Sequence, residues 1–311
     1  MLRNRLRREA ELLTAATSDP VACHQHPRWW IAKIRAAYPE HWQSLLAVGN
    51  SHPPMTLRVN RRRTDGEVYL ASLHAAGIAA RLLEPHGYAI LLERPRSVAE
   101  LPGFYDGLVS VQDWGAQRAA VLLDAQPGMR VLDACAAPGG KSTHLLELAD
   151  IDLLALDSET SRVSRIVENL DRLGLQAKVA AADCRTLSNW WDQRGFERIL
   201  ADVPCSASGV VRRHPDSKWL RREADIEHFA RTQSEILDAL WHVLVPGGKM
   251  LYCTCSLFPE ENELQIASFA AHHADALRLP LGDTPENSLH WQLLPQAEQD
   301  GFFYALLQKR H

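Results

Sequence analysis

The sequence has no apolar run long enough to cross a membrane and no apolar core of a secretory signal peptide. A spanning helix needs roughly 18 or more consecutive apolar residues, and no segment approaches that length. The amino terminus carries Arg3, Arg5, Arg7 and Arg8, but no apolar segment follows them. These absences predict a cytoplasmic protein that does not insert into a membrane.

The sequence also lacks closely spaced cysteine pairs of the CxxC kind, although it contains six cysteines. Structural zinc sites usually take their thiolates from such pairs, so no metal is expected. The cysteines of a cytoplasmic protein are more often free thiols than disulfides. We therefore expect free thiols at Cys23, Cys135, Cys184, Cys205, Cys253 and Cys255.

The sequence also lacks an excess of positive charge. It has 34 lysines and arginines and 38 aspartates and glutamates, which gives a net charge of −4. A nucleic-acid partner would therefore have to meet a local basic surface. Hydrophobic residues make up 46% of the chain and charged residues 23%, which is typical of a soluble globular protein. A length of 311 residues predicts about two domains.

The predicted helices and strands divide the chain into three segments. Residues 1–20 form a basic helical segment. Residues 21–108 combine a helical stretch at Pro27–Leu46 with short strands, the first at Met55–Asn60, and predict a small RRM-like α/β module. In residues 109–311 strands alternate with helices, which is typical of a parallel sheet covered by helices. The predicted fold class is α/β, with a Rossmann-like sheet in this last segment.

Acidic residues and cysteines stand at the ends of the predicted strands of the last segment. Three strands end in Asp157, Asp183 and Asp202, and Cys205 and Cys255 follow two strands closely. Ligands bind at the carboxyl ends of the strands in such sheets. A lone aspartate there is often only a helix cap or turn residue. Three of them at successive strand ends favour a binding site.

A glycine-containing loop joins the first of these strands to its helix. Its residues are Cys135, Ala136, Ala137, Pro138, Gly139, Gly140 and Lys141. The glycines let backbone amides approach a ligand, and the helix start offers unpaired N–H groups. The loop is neither GxGxxG nor a phosphate loop, which would need a glycine at position 135. Asp157 is expected to bind a ribose and Asp183 an adenine, a pattern shared by NAD and S-adenosylmethionine.

Two cysteines beside one cofactor loop indicate covalent chemistry, although a single strand-end cysteine is more often a packing residue. Methylation of cytosine at carbon 5 needs a thiolate that adds to carbon 6 and makes carbon 5 nucleophilic. It also needs an acid near N3 and a base that later removes the carbon 5 proton. This chemistry requires one attacking thiol but does not choose between Cys205 and Cys255.

Three segments of the sequence match a known family. LDACAAPGGK, ADVPCSASGVVRRHPDSKW and CTCSLFPEEN resemble the Sun/Fmu (RsmB-type) bacterial 16S ribosomal RNA cytosine-5 methyltransferases, and PPMTLRVN and DGFFYALLQK fit as well. The resemblance covers nearly the whole chain. It implies a class I S-adenosylmethionine-dependent methyltransferase fold, with S-adenosylhomocysteine as the spent cofactor. The implied product is 5-methylcytosine, at cytosine 967 of 16S rRNA in conventional numbering.

The resemblance also implies roles for individual residues. Cys255 would be the nucleophile, and Cys205 would assist release of the product. Asp202 would contact the cytosine and the methionine end of the cofactor, and Lys141 would belong to the same catalytic group. The loop 135–141, with Asp157 and Asp183, would bind S-adenosylmethionine.

The resemblance departs from the family pattern at two places. Family members usually begin with a helical NusB-like RNA-binding domain, and residues 1–20 resemble a remnant of its last helix or a linker from it. Ala201-Asp202-Val203 replaces a more usual Leu-Asp-Ala. We expect the catalytic assignment to survive both differences.

Basic clusters in the small module and after the DVPCS segment are candidate RNA contacts. Short charge runs are usually solvated surfaces, but phosphate contacts are favoured beside a site that holds a flipped-out base. The expected RNA-binding residues are Arg61, Arg62, Arg63, Arg212, Arg213, His214 and Lys218. Trp219 is a candidate for stacking on a base, whereas Trp29 and Trp30 fit an apolar helix and are expected in the core.

The expected partner is 16S rRNA or a small-subunit assembly particle, bound by a monomer. A non-catalytic RNA-binding factor is disfavoured because Cys205, Cys255, Asp202 and Lys141 are all present. An NAD-dependent oxidoreductase is disfavoured because GxGxxG is missing.

Overall fold

The computed structural model describes residues 7–83, 88–282 and 288–311. Part of the predicted basic segment 1–20, namely residues 1–6, lies outside the described residues. The chain then begins with helices α1 to α4, at Glu9–Ser18, Pro20–His24, Arg28–Ala37 and Trp42–Val48. Among the described residues, no helix is both long enough and apolar enough to cross a bilayer.

The single helix expected at Pro27–Leu46 is wrong, because the chain forms two helices, α3 and α4, on either side of Pro39. Proline has no N–H and disfavours helical backbone at the residue before it, and Tyr38 has φ of −133°. The break turns both helices onto the large domain. Trp30 is 1% exposed and packs with Phe258, as expected for a core residue.

A four-stranded antiparallel sheet follows. Its elements are β1 Met55–Val59, α5 Gly66–Ala75, β2 Ala80–Leu83, β3 Ala89–Leu92 and β4 Val109–Val111, in the strand order β2-β3-β1-β4. On one face, Leu57 and Ile90 pack against Tyr69 and Leu73 of α5. Strand β4 falls in the segment that the sequence assigned to the large domain, yet it pairs with β1.

The large domain contains an eight-stranded sheet in the order β10-β12-β9-β8-β5-β6-β7, with β11 paired to β12. Its strands are β5 Arg130–Asp133, β6 Asp152–Asp157, β7 Lys178–Ala181, β8 Phe196–Asp202, β9 Leu244–Thr254, β10 Ala276–Leu279, β11 Trp291–Leu293 and β12 Phe302–Lys309. Strand β12 runs antiparallel to β9 and β10. The sheet is therefore mixed rather than parallel throughout, and the Rossmann-like α/β class is confirmed.

Helices cover both faces of the large sheet. They are α6 Trp114–Leu123, α7 Gly140–Leu148, α8 Thr160–Leu173, α9 Ser217–Leu220, α10 Glu223–Val243 and α11 Glu263–His272. Helices α6 to α8 contribute Ala120, Leu145 and Ile166 to one core cluster. On the other face, α10 and α11 contribute Leu237 and Phe269 to a second. The sheet is thus buried on both sides, and its strand ends remain as the place for a site.

The small sheet is joined to the large domain by a buried arginine. Arg58 on β1 has no exposed side chain and forms an ion pair with Glu147 of α7 at 2.7 Å. The same guanidinium donates to the carbonyl of Gly140, the first residue of α7, at 2.7 Å, and to the side chain of Gln112 at 2.6 Å. The charge is therefore fully paired at the domain junction, as a buried charge must be.

We expect Arg58→Met to lower the free energy of unfolding by about 3–5 kcal/mol, because it leaves the carboxylate of Glu147 buried without its cation. Urea denaturation measures this change. The matched control is Arg62→Met, whose partner Asp150 is 86% exposed, and its cost should stay below about 1 kcal/mol. Equal losses in the two variants would show that the Arg58 pair does not hold the domains together.

Candidate active site

The carboxyl ends of β5, β6, β7, β8 and β9 surround a cleft of about 380 Å³. Parallel strands end at the same edge of a sheet, which brings residues distant in sequence together. The lining includes seven of the site residues predicted from the sequence, namely Cys135, Ala137, Asp157, Asp183, Asp202, Cys205 and Cys255.

The loop from Cys135 to Lys141 makes a sharp turn between β5 and α7. Gly139 has φ of +97°, a conformation that residues with a Cβ rarely adopt. A Cβ at this position would lie 3.1 Å from the Cα atom of Ile166. Cys135 and Ala137 line the cleft, and the rest of the loop leads into α7, whose first N–H groups have no partner within the helix.

Asp157 ends β6 as a buried carboxylate at the cleft wall. One of its oxygens accepts a hydrogen bond from the N–H of Ala137, and the other accepts one from the N–H of Glu159, both at 3.1 Å. The guanidinium of Arg162 lies 3.7 Å away. These contacts fix Asp157 against the glycine loop, so its position at the cleft is rigid.

Asp183 follows β7 at the opposite wall and is half-exposed. Its carboxylate accepts hydrogen bonds from the side chain of Arg185 at 2.7 Å and from the N–H of the same residue at 2.9 Å. The side-chain hydrogen bond lowers the pKa of Asp183, so the carboxylate is ionised. Asp183 thus closes its own turn, as strand-end aspartates often do, while it also borders the cleft.

Asp202 ends β8 and connects the glycine loop to β9. Its carboxylate lies 2.5 Å from Nζ of Lys141 and accepts a hydrogen bond from the thiol of Cys253 at 3.3 Å. Burial lowers the pKa of Lys141, but the charge and hydrogen bond of Asp202, together with the nearby Cys253 and Cys255, raise that pKa above its usual value. Lys141 is therefore a permanent cation beside the cleft.

Cys205 and Cys255 lie together, with 3.4 Å between their Sγ atoms. Both are free thiols and partly buried. The hydrogen bond to Cys255, followed by burial, raises the pKa of Cys205 well above its usual value. Cys205 therefore keeps its proton and can donate it to the sulfur of Cys255.

Two buried carboxylates near these loops were not predicted. Asp133 ends β5 and accepts a hydrogen bond from the hydroxyl of Ser142 at 2.6 Å, and burial raises its pKa to about 7. Glu261 is hydrogen-bonded to Ser206 and Ser256, each of which directly follows one of the paired cysteines. The repeated Cys-Ser dipeptide was the one sequence signal for this contact. Glu261 itself was missed because the segment FPEEN resembles a solvated acidic run.

Two of the expected RNA contacts, Arg212 and Lys218, have buried side chains, which disfavours contact with a phosphate. The side chain of Arg212 is 2% exposed and donates to the carboxylate of Asp300, itself fully buried, at 2.6 Å. Lys218 is 4% exposed, and its ammonium group donates to the side chain of Asn50 at 2.6 Å. The guanidinium of Arg212 cannot meet a phosphate without losing its carboxylate partner.

The other residues of this segment differ in exposure. Arg213 is partly exposed, but its guanidinium contacts both Asp113 and Asp300. His214 and Trp219 are exposed, and 54% of Trp219 is accessible to solvent. They remain the candidates for RNA contact in this segment.

The triplet Arg61–Arg63 lies at the opposite edge of the large sheet from the paired cysteines. Arg62 contacts Asp150, which precedes β6, at 2.5 Å. Arg63 donates to the carbonyl of Leu173, the last residue of α8, at 2.9 Å. These side chains are exposed but fasten the small module to the amino edge of the sheet. From the sequence we expected these arginines beside the cleft, but the structure places them away from it.

Comparisons with known proteins match both parts of the chain. The family model described as 16S rRNA methyltransferase RsmB/F matches residues 120–308. The model for the ferredoxin-like domain of RsmF/B-like methyltransferases matches residues 26–99. The chain belongs to the RsmB/F family. It is therefore an S-adenosylmethionine-dependent rRNA methyltransferase, and the family resemblance drawn from the motifs is confirmed.

Curated relatives and solved structures agree with this membership. The "Ribosomal RNA small subunit methyltransferase B" of Escherichia coli O17:K52:H18 is 47% identical over 312 residues, which cover 100% of this chain and 72% of the relative. The protein of the same name from Yersinia enterocolitica is also 47% identical, over 315 residues, with the same shares. A methyltransferase homolog protein from Pyrococcus horikoshii has a TM-score of 0.81 and 27% identity, covering 93% of this chain and 97% of that one.

The cleft of this RsmB/F methyltransferase fits S-adenosylmethionine. Asp157 and Asp183 line the cleft with carboxylates that would hold the cofactor by accepting hydrogen bonds from its hydroxyl and amino groups. Gly139 lets the loop turn sharply enough for α7 to begin at the cleft. When bound, S-adenosylmethionine supplies an electrophilic methyl group.

We expect Gly139→Ala to lower the free energy of unfolding by about 1–3 kcal/mol and to weaken binding of S-adenosylhomocysteine, because a Cβ strains the φ angle and presses on α8. Denaturation and calorimetry measure the two effects. In the control variant Gly140→Ala the new Cβ meets only the side chain of Gln112 at 3.8 Å, so its stability should change by less than about 0.5 kcal/mol. A stable Gly139→Ala variant with native affinity would contradict this account.

Proposed function

We propose that this methyltransferase forms 5-methylcytosine in 16S rRNA through a covalent bond between Cys255 and carbon 6 of the target cytosine. The observation that carries the proposal is the pair of thiols, Cys205 and Cys255, 3.4 Å apart in the cofactor cleft. A methyltransferase that acts on a more nucleophilic atom would need no thiol at this place.

The raised pKa of Cys205 supports Cys255 as the nucleophile. Because Cys205 holds its proton, it can donate a hydrogen bond to the thiolate of Cys255 and stabilise it. The sulfur of Cys255 then bonds to carbon 6, and the electron pair of the double bond moves to carbon 5, which takes up the methyl group. Lys141 offsets the negative charge that develops on the ring.

Release of the product needs a proton at one sulfur and a base for the proton at carbon 5. Cys205 gives its proton to the departing sulfur of Cys255 and, as a thiolate, accepts the proton from carbon 5. The double bond re-forms, and both cysteines end as thiols. Asp202, which Lys141 and Cys253 hold in position, would accept a hydrogen bond from the cytosine amino group.

The proposed target is 16S rRNA, as free RNA or in a small-subunit assembly particle, with cytosine 967 as the nucleotide that the family resemblance implies. The names of the curated relatives support a small-subunit rRNA substrate. Because its proposed substrate is ribosomal RNA, we expect the enzyme to act in the cytoplasm. We also expect it to act as a monomer.

We expect the wild-type enzyme with S-adenosylmethionine to form a stable adduct on RNA that carries 5-fluorocytosine, because the fluorine cannot leave as a proton does. Cys255→Ala should form none. Cys205→Ala should accumulate a covalent complex even on unmodified RNA, since bond formation remains and release fails. Denaturing gels measure each adduct.

Two results would overturn the assignment. If Cys255→Ala trapped RNA and Cys205→Ala did not, the roles would be reversed. If no variant trapped RNA, the covalent mechanism would fail. The variant Cys23→Ala, at an exposed cysteine that does not line the cleft, serves as the control and should trap RNA as the wild type does.

A further inference from the structure

A buried carboxylate lies beneath the loops that carry the paired cysteines. Glu261 ends the short 3-10 turn Pro259–Glu261 and has no exposed surface. The partners found for its side chain within the described ranges are hydrogen-bond donors rather than cations. A buried carboxylate is costly unless such donors satisfy it, so the burial of Glu261 depends on these contacts.

Glu261 binds both cysteine loops at once. One of its oxygens accepts a hydrogen bond from the backbone N–H of Ser206 at 2.8 Å. The other accepts one from the hydroxyl of Ser256 at 2.5 Å. Because these serines directly follow Cys205 and Cys255, a single carboxylate ties together the two segments that present the thiols.

A cluster of hydroxyl groups completes the connection. The Oγ atom of Ser256 lies 3.1 Å from that of Ser206 and 3.2 Å from that of Ser208. The N–H of Gly209 donates to the carbonyl of Cys255 at 2.8 Å. All three serines are at most 1% exposed, so water does not compete for these bonds.

We propose that Glu261 is a positioning residue that fixes Cys205 against Cys255 at the separation needed for release of the methylated product. This inference rests on the proposed function, in which both thiols act on one cytosine ring. A reacting group misplaced by about 1 Å can lose roughly 100-fold in rate. Loosening the serine contacts would allow such a displacement while leaving attack by Cys255 possible.

The negative charge of Glu261 supports the same role as its hydrogen bonds do. After the hydrogen bond to Cys255 and burial, the negative charge of Glu261 also raises the pKa of Cys205. Glu261 thus helps to keep on Cys205 the proton that the departing sulfur receives.

The test compares Glu261→Gln with Glu260→Gln, a glutamate on the same turn whose partner is Lys33. Glu261→Gln keeps an acceptor for Ser206 but loses the charge. We expect it to trap 5-fluorocytosine RNA at close to the wild-type rate, but to release methylated unmodified RNA about tenfold more slowly or worse. The alkaline limit of the release step should move to lower pH, because the pKa of Cys205 falls.

The control Glu260→Gln should match the wild type in trapping, release and pH profile. Native release by Glu261→Gln with an unshifted profile would overturn the inference, and so would an equal loss of trapping and release. Glu261→Asp, which keeps the charge on a shorter side chain, should restore the pH profile more than the rate. Failure of the wild type itself to trap RNA would instead refute the proposed function.

Discussion

The ion pair between Arg58 and Glu147 is the interaction on which the rest of the structure depends. It is fully buried, and five hydrogen bonds from one guanidinium satisfy the charge. One of these bonds ends on Gly140, the first residue of the helix that follows the cofactor loop. The position of that loop is therefore set partly by a strand of the small module. Such pairs confer specificity of arrangement more than net stability, and here the arrangement is that of the methyl-donor cleft.

Burial of Arg58 also changes how the small module can be used. Side chains alternate along β1, so that Leu57 and Val59 face the module's own core while Thr56 and Arg58 face the large domain. RRM domains bind RNA by stacking bases on the open face of their sheet. In this chain that face is covered, because Thr56 and Arg58 are at most 1% exposed. The module resembles an RRM in strand order, but this face of its sheet packs against the catalytic domain.

Features that depend on local sequence were predictable, and features that depend on distant partners were not. Strands that end in Asp157 and Asp202, and the turn at Gly139, follow from short-range patterns, which is why the cleft could be outlined. Pro39 disfavours a continuous helix, but the apolar pattern of Pro27–Leu46 led us to predict one helical stretch across it. The antiparallel direction of β12 could not be predicted, because the residues of a strand do not determine its direction relative to the neighbouring strands. The burial of Glu261 depends on two serines from separate loops, and no spacing rule encodes that contact.

The arginine runs show the same limit in terms of charge. A cluster such as Arg212-Arg213 beside a catalytic motif fits an RNA contact, but it also fits a buried ion pair, and the carboxylate that decides between them, Asp300, lies 88 residues away. Once these pairs are formed, the guanidinium groups of Arg212 and Arg213 are held by carboxylates rather than left for phosphates. In the proposed mechanism the target base itself is recognised at the cleft, where Asp202 would hold it against the two thiols that Glu261 would align.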